Sequence, residues 1–336
     1  MNTQELAYRS NTIWNAFWAL YRLPPAKMEA FLNAYAIFDR EWDSQEYDDR
    51  IKHSLVDYYS VLNYLCAIGQ VEKMYIPPTM DASKSILENQ RLFETKLARD
   101  LGVKKGDRVL DVGCGRGRVA AHIASMTGAH VSGFNVDKTQ IESAQRFAKS
   151  AGLADQTHFQ LGDLNRMPFA FADESFDKIY DNQAFSYSKD LNKMFKELHR
   201  LLKPKGRFAC LEYVLKDAYD PSNPVHSDLL RRTKPVLGAI GSPKISDYIN
   251  AMQNAGFEIV MNEEASVGGH QAPLIEKAHG FYTGAAKWIS RLVRVKILPK
   301  HFDVLFERLS RGGDAFVQAD RLGLLSTSWY IVAQKR

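Results

Sequence analysis

The run Val109-Leu110-Asp111-Val112-Gly113-Cys114-Gly115-Arg116-Gly117-Arg118-Val119 constrains this chain more than any other stretch. An apolar strand ends there in a turn with glycine at alternate positions, and a helix-forming segment follows at once. Glycine lets the backbone turn tightly and approach a ligand where a Cβ would collide. Open α/β sheets bind their ligands at such strand ends. Dinucleotide sites space the glycines as Gly-x-Gly-x-x-Gly and keep an acid about 20 residues further on. Here the spacing is Gly-x-Gly-x-Gly, and Asp111 closes the strand ahead of the first glycine. A carboxylate there repels a pyrophosphate and attracts an amino or sulfonium group, which disfavours a dinucleotide oxidoreductase.

The alternation of strands and helices continues from 107 to about 215. A second strand, His130 to Phe134, ends in Asn135, Val136 and Asp137, placed to accept from ribose hydroxyls. A third, Thr157 to Leu161, ends in Gly162, Asp163 and Leu164, where the aspartate can accept from an adenine amine. Phe176 to Asp181 reads as a fourth strand, and Leu201 to Phe208 as a helix end turning into a fifth. This ordered series resembles the class I S-adenosylmethionine-dependent methyltransferases. The resemblance implies an α/β fold: a Rossmann-like seven-stranded sheet with helical N-terminal and C-terminal accessory elements. It also implies S-adenosylmethionine as cofactor, held by Asp111, Gly113, Cys114, Gly115, Gly117, Asn135, Asp163, Leu164 and Asn182.

Composition excludes several other classes. With 45% hydrophobic and 25% charged residues the chain is an ordinary globular sequence. A net charge of +5 without any block of like charges gives no footprint for nucleic acid. Cys66, Cys114 and Cys210 lie far apart, without metal-ligand spacing, and their odd number argues against a disulfide framework. No metal is expected. The N-terminus lacks the basic start and apolar block of a signal peptide, and no run reaches the roughly 20 apolar residues that span a bilayer.

Around the core, residues 1–80 read as a helical cap. Trp14, Phe17, Trp18 and Tyr21 share one helical face; Lys27 to Asp39 and Asp48 to Leu65 read as further helices, with a break near Gly69. Pro77-Pro78 marks a loop, and Ser83 to Leu101 leads into the cofactor-binding core, 81–215. The rest, 216–336, reads as a substrate-side helical insertion followed by the last core strands: helices at Ser227–Lys234 and Lys244–Ala255, a strand at Phe257–Met261, a helix over 272–306 interrupted near Pro299, and a final strand from Ser326 to Lys335.

From Tyr58 to the end the chain also resembles the sterol C-methyltransferase family. The matching pieces are Asp57-Tyr58-Tyr59, Gly162-Asp163-Leu164-Asn165-Arg166-Met167-Pro168-Phe169, Ser310-Arg311-Gly312-Gly313 and Gly323-Leu324. Two departures stand out. Where C-24 methyltransferases carry Tyr-Glu-Tyr-Gly-Trp-Gly, this chain has Cys66-Ala67-Ile68-Gly69-Gln70-Val71. Where the family has a glutamate after strand four, it has Gln183. Alkylating a side-chain alkene makes a carbocation, which aromatic faces and carboxylates stabilise. Their loss favours the nematode-type sterol 4-methyltransferases, in which a 3-keto sterol loses a C-4 proton and the enolate carbon takes the methyl. That chemistry needs a base and an oxyanion donor. Glu212, Tyr187, Tyr213 and Asp181 are the candidates, with Tyr75 and His270 as further options; the sequence singles out none. C-24 methylation, and N- or O-methylation of a small molecule or phospholipid base, are the alternatives.

Trp14, Trp18, Tyr59, Phe281 and Trp288 are candidate walls for an apolar acceptor. Lys287, Arg291 and Arg294 share one helical face beside Trp288, so residues 287–300 are expected to touch an anionic membrane surface. The corresponding expectation is a cytoplasmic protein, peripheral at the endoplasmic reticulum membrane. The oligomeric state stays open, with a homo-oligomer among the options.

Overall fold

The computed structural model describes residues 3–38, 49–68, 71 and 73–336. Three helices come first: α1 (Thr3–Tyr21), α2 (Pro25–Ala34) and α3 (Asp49–Ile68). Pro24 and Pro25 separate the first two, because proline fits a first helical turn but not an interior. The second ends in a 3-10 turn, Tyr35–Phe38, rather than running on as one helix. The expected ends at Asp39 and Asp48 and the break at Gly69 lie outside the described residues.

The core then alternates as the sequence predicts: α4 (Ile86–Leu101), β1 (Arg108–Val112), α5 (Arg118–Thr127), β2 (His130–Asn135), α6 (Lys138–Ser150), β3 (Thr157–Leu161), β4 (Phe176–Asn182), α7 (Leu191–Leu201) and β5 (Leu202–Leu215). Ser85 and Glu88 close a reciprocal capping box at the start of α4. Beyond it come α8 (Pro224–Leu237), α9 (Ile245–Asn254), β6 (Phe257–Glu264), α10 (Ala272–Arg294), α11 (His301–Ser310), α12 (Gly313–Arg321) and β7 (Leu325–Lys335). The sequence reading missed α12. Its N-cap is Gly312, at φ 85.

Seven strands form one sheet in the order β3-β2-β1-β4-β5-β7-β6, with β7 antiparallel to both neighbours. This is the class I methyltransferase architecture anticipated above. The chain reverses direction of strand placement between β1 and β4, so their carboxyl ends open a crevice at that point. Buried side chains fill both faces of the sheet: Phe93, Leu97, Ile123 and Val131 on one, Phe176, Phe195, Leu198 and Phe208 on the other.

A separate apolar cluster joins the two accessory regions. Leu20, Phe31, Phe38, Leu55, Tyr58 and Val61 from the N-terminal helices pack against Phe302, Leu305 and Phe306 of α11. Burying each such side chain is worth roughly 1.5–3 kcal/mol, so the cap is built from both ends of the chain and stands over the crevice.

Candidate active site

The turn after β1 requires its glycines for two different reasons. At Gly113, φ is 73 and an added Cβ would come within 2.5 Å of the Ala184 Cβ, so the turns after β1 and β4 touch here. At Gly117, φ is 69 and a Cβ would meet Ala144 and Phe159 at 2.7 Å. Gly117 therefore seats α5 on its neighbours and does not line the cavities below. Gly115, at φ 51, has only Gln140 nearby, at 3.5 Å.

Two small cavities lie on either side of this turn. One, of about 60 Å³, is lined by Asp111, Gly113, Cys114, Gly115, Arg116, Asn182 and Lys73. The other, of about 100 Å³, is lined by Gly113, Gly115, Asn135, Asp163, Leu164, Asn182 and Tyr187. The tertiary fold thus brings together the expected contacts from four strand ends. Asp111 is buried and accepts the Tyr180 hydroxyl at 2.7 Å. Burial pushes its carboxyl up to about 7; the Tyr180 hydrogen bond opposes this, and the nearby Glu94 charge adds to it. Asn135 donates to Gln140 at 2.7 Å. Asp163 accepts from the Asn165 N–H at 2.9 Å and pairs with Lys52 at 3.2 Å. Asp137, read as a ribose acceptor, instead caps α6 through the Thr139 N–H at 2.7 Å.

Asn182 tests whether a cofactor fits. Both its side-chain polar atoms are buried without a hydrogen-bond partner in the protein, and it lines both small cavities. A buried amide is costly unless a ligand satisfies it. With Asp111 for an amino group and Asn135 and Asp163 for the nucleoside, the donors and acceptors fit S-adenosylmethionine.

A third cavity, of about 600 Å³, opens beside these two. Tyr59, Met74 and Gln183 line it together with the nucleoside-side cavity. Lys73, Met74 and Tyr75 line it together with the Asp111 side. Much of its remaining wall comes from the Tyr35–Phe38 turn, α3, α8, α10 and α11, including Tyr35, Tyr58, Leu62, Val236, Leu274 and Tyr282. Burial pushes every one of these phenols up: Tyr59 and Tyr282 to about 12, and Tyr35, Tyr58 and Tyr75 further. All five stay neutral near pH 7. Among the described lining residues the one carboxylate is Asp314, paired with Arg232.

Several sequence expectations are corrected here. Asp181, Glu212 and Tyr213 do not stand at the mouth but behind the wall. Glu212 is 1% exposed and accepts from the Phe185 N–H at 2.9 Å, while Asp181 accepts from Ala184 N–H. The two carboxyls are hydrogen-bonded to one another, and burial raises both. Together they hold the turn that carries Gln183 and Tyr187. His270 is half exposed and faces Asp320. Tyr187 does line the nucleoside-side cavity, its hydroxyl 2.9 Å from that of Tyr59 and also donating to the Gly238 carbonyl. Of the candidate walls only Tyr59 is one: Trp14, Phe281 and Trp288 are exposed.

The sequence reading gave no role to Lys73 and Met74, and none to Glu94, which binds Lys73. A signal existed for the last. On the buried face of α4, Phe93, Leu97 and Leu101 recur with Gln90 and Glu94 among them. Polar residues on an apolar stripe mark a site or a network.

A methyltransferase domain model matches residues 103–251. A sterol 24-C-methyltransferase of Aspergillus fumigatus is 40% identical over 171 residues, 51% of this chain and 45% of the relative's length. A second, from Gibberella zeae, is 31% identical and covers 72% of this chain and 69% of its own length. The chain belongs to the sterol 24-C-methyltransferase family. Its members depend on S-adenosylmethionine, in agreement with the fit at Asn182. Among solved structures, the [4+2]-cyclase SpnF shares the fold, with a TM-score of 0.65, 18% identity and coverage of 84% of this chain and 95% of that one. Both relatives are 24-C-methyltransferases by name, so the matches support the family and not its 4-methylating branch.

Proposed function

We propose that the protein methylates a sterol at C-24, the position that the names of its relatives give for them, and that the acceptor there is a side-chain alkene. The observation that carries this reading is the large cavity, which has five neutral tyrosines in its wall and shares lining residues with both halves of the cofactor site. The cofactor, when bound, supplies an electrophilic methyl on sulfur. Adding a methyl to an alkene leaves a carbocation, and aromatic faces stabilise it. Tyr35, Tyr58, Tyr59, Tyr75 and Tyr282 replace in space what the sequence lacks at 66–71. A sterol A-ring ketone offers a poorer match. Enolisation needs a base; among the described lining residues the only carboxylate is already paired with Arg232, and the one histidine, His279, packs against Gly313. Asp111, Asn135, Asn182 and Asp163 are proposed to orient the cofactor, Tyr59 and Tyr187 to fix the junction, and Asp181 and Glu212 to position the turn beneath.

Purified protein, labelled S-adenosylmethionine and a panel of acceptors test this: a Δ24 sterol, a 3-keto sterol, its 3-hydroxy counterpart and phosphoethanolamine. Label in the Δ24 side chain is the expected result. Label at C-4 of the ketone would restore the enolate reading, and label only on the amine would overturn the sterol reading.

A membrane contact is part of the same proposal. Phe281 and Trp288 on α10 and Val295 at its C-cap recur every seven residues and are 65%, 65% and 64% exposed. Ala286, Ile289 and Val293 on the opposite side pack into the cap. Lys287, Arg291 and Arg294 are exposed beside the apolar stripe. Such a helix suits an anionic lipid surface, where a sterol is collected. No helix among the described residues is long and apolar enough to cross a membrane.

A further inference from the structure

Putting a methyl on an alkene or on any C–H carbon, without leaving a charge on the product, requires a proton to depart. The described lining of the large cavity combines apolar side chains and neutral phenols with cationic Lys73, Arg231, Arg232, Arg308 and Arg311, and its one carboxylate, Asp314, is paired with Arg232, so the proton needs a route out. One continuous chain of hydrogen bonds leads from the cavity towards the surface. Tyr75 lines the cavity at its junction with the Asp111 side. Its hydroxyl donates to Glu94 Oε1 at 2.8 Å. Glu94 is fully buried, and its Oε2 lies 2.5 Å from Nδ1 of His122 on α5. The His122 side chain is 28% exposed, so the far end of the chain reaches solvent.

From this connectivity we propose that Tyr75, Glu94 and His122 form the proton exit of the active site. The step balances without an added reactant. As the substrate C–H bond breaks, its electron pair restores the alkene and its proton passes to the Tyr75 oxygen. The Tyr75 hydroxyl proton moves to Glu94 Oε1 as the proton held on Glu94 Oε2 moves to His122 Nδ1. The imidazolium then releases a proton to water. Lys73 donates to Glu94 Oε2 at 2.5 Å and fixes the position of that carboxyl. The other ionisable groups near Glu94 are Asp111 and Tyr180, which are bonded to one another. A neutral phenol is too weak a base to enolise a ketone but accepts readily from a carbocation, so the relay rests on and sharpens the alkene reading. Tyr75 touches the substrate cavity; Glu94 and His122 act through it.

The test uses the full-length enzyme and the acceptor that the panel above identifies. Any C–H or N–H methylation releases a proton, so failure on sterols would sink the proposed function while the relay is still read on the true acceptor. His122→Ala is expected to lower kcat about 100-fold with little change in KM or in cofactor affinity. Added imidazole is expected to restore much of the loss, which a merely structural histidine would not permit. Tyr75→Phe should lower kcat similarly, without imidazole rescue, when assayed well below its melting temperature, where the variant is still folded. Wild-type kcat in His122→Ala would overturn the relay, as would a loss that imidazole leaves untouched.

Discussion

The side chain of Gln183 pairs with the backbone of Ile76 as a neighbouring strand would. Its Oε1 accepts the Ile76 N–H at 2.9 Å and its Nε2 donates to the Ile76 carbonyl at 2.8 Å. The same nitrogen reaches the Thr327 carbonyl at 2.7 Å. One amide thus laces the 73–80 segment, which bears Lys73, Met74 and Tyr75, to β7. Gln271 does the same one residue on, donating to the Pro77 carbonyl at 2.9 Å and accepting from Thr327.

Replacing Gln183 by Glu removes a donor that two buried carbonyls share and adds a charge against them. The expected loss is about 1–3 kcal/mol of stability, together with weaker cofactor binding as the segment loosens. Thermal melting and calorimetric titration with S-adenosylmethionine measure both. An unchanged melting temperature would mean that the segment is held by its other bonds.

Gly113→Ala forces a Cβ to 2.5 Å from Ala184 at a positive φ. Cofactor binding is expected to fall below detection, whereas Gly115→Ala, with no contact under 3.5 Å, keeps measurable affinity. Ala184→Gly in the Gly113→Ala background relieves the clash but leaves the backbone strain of about 1–2 kcal/mol. It should restore binding only in part, as read by the same titration.

Asp111 gives a pH dependence whose sign follows from its raised carboxyl. Folding favours the neutral form, so this group costs stability as pH climbs from its ordinary value near 4 to about 7, and no further above that. An ammonium group held by the carboxylate needs the ionised form. Cofactor affinity is therefore expected to rise with pH up to about 7, with at most about a tenfold gain per unit, and then level off. Calorimetry in buffers of different ionisation enthalpy should show proton release on binding near pH 6. Asp111→Asn should bind weakly and flatten the profile.

The α10 stripe predicts lipid-dependent behaviour. Vesicles containing anionic phospholipid should co-sediment the protein and shift Trp288 emission to the blue, more strongly at low salt. Reversing Lys287, Arg291 and Arg294 to glutamate should abolish the binding without altering the melting temperature, because all three are exposed. Equal binding to neutral vesicles would remove the electrostatic part of the argument.

Local signals made most of the core legible. Asp111, Gly113, Cys114, Gly115, Asn135, Asp163, Leu164 and Asn182 all lie at or just past strand ends that the sequence marks, and parallel strands in one sheet deliver their ends to one edge. Strand β3 fell on the expected residues, Thr157 to Leu161, since alternation and flanking turn formers are local properties. Gly117 was legible as a glycine but not as a packing one: its contacts with Ala144 and Phe159 are made only when α6 and β3 dock against it.

The sequence by itself determined a glycine-turned α/β core that takes S-adenosylmethionine, because each of those features is written within a few residues. Only the tertiary structure decided what faces the acceptor. It turned Glu212 and Asp181 inward to hold a turn, left Trp14, Phe281 and Trp288 on the outside, and drew Tyr35, Tyr58, Tyr59, Tyr75 and Tyr282 from four separate segments onto one wall. Which way a side chain points from a helix or loop depends on what the rest of the chain packs against it, and no stretch of sequence carries that on its own.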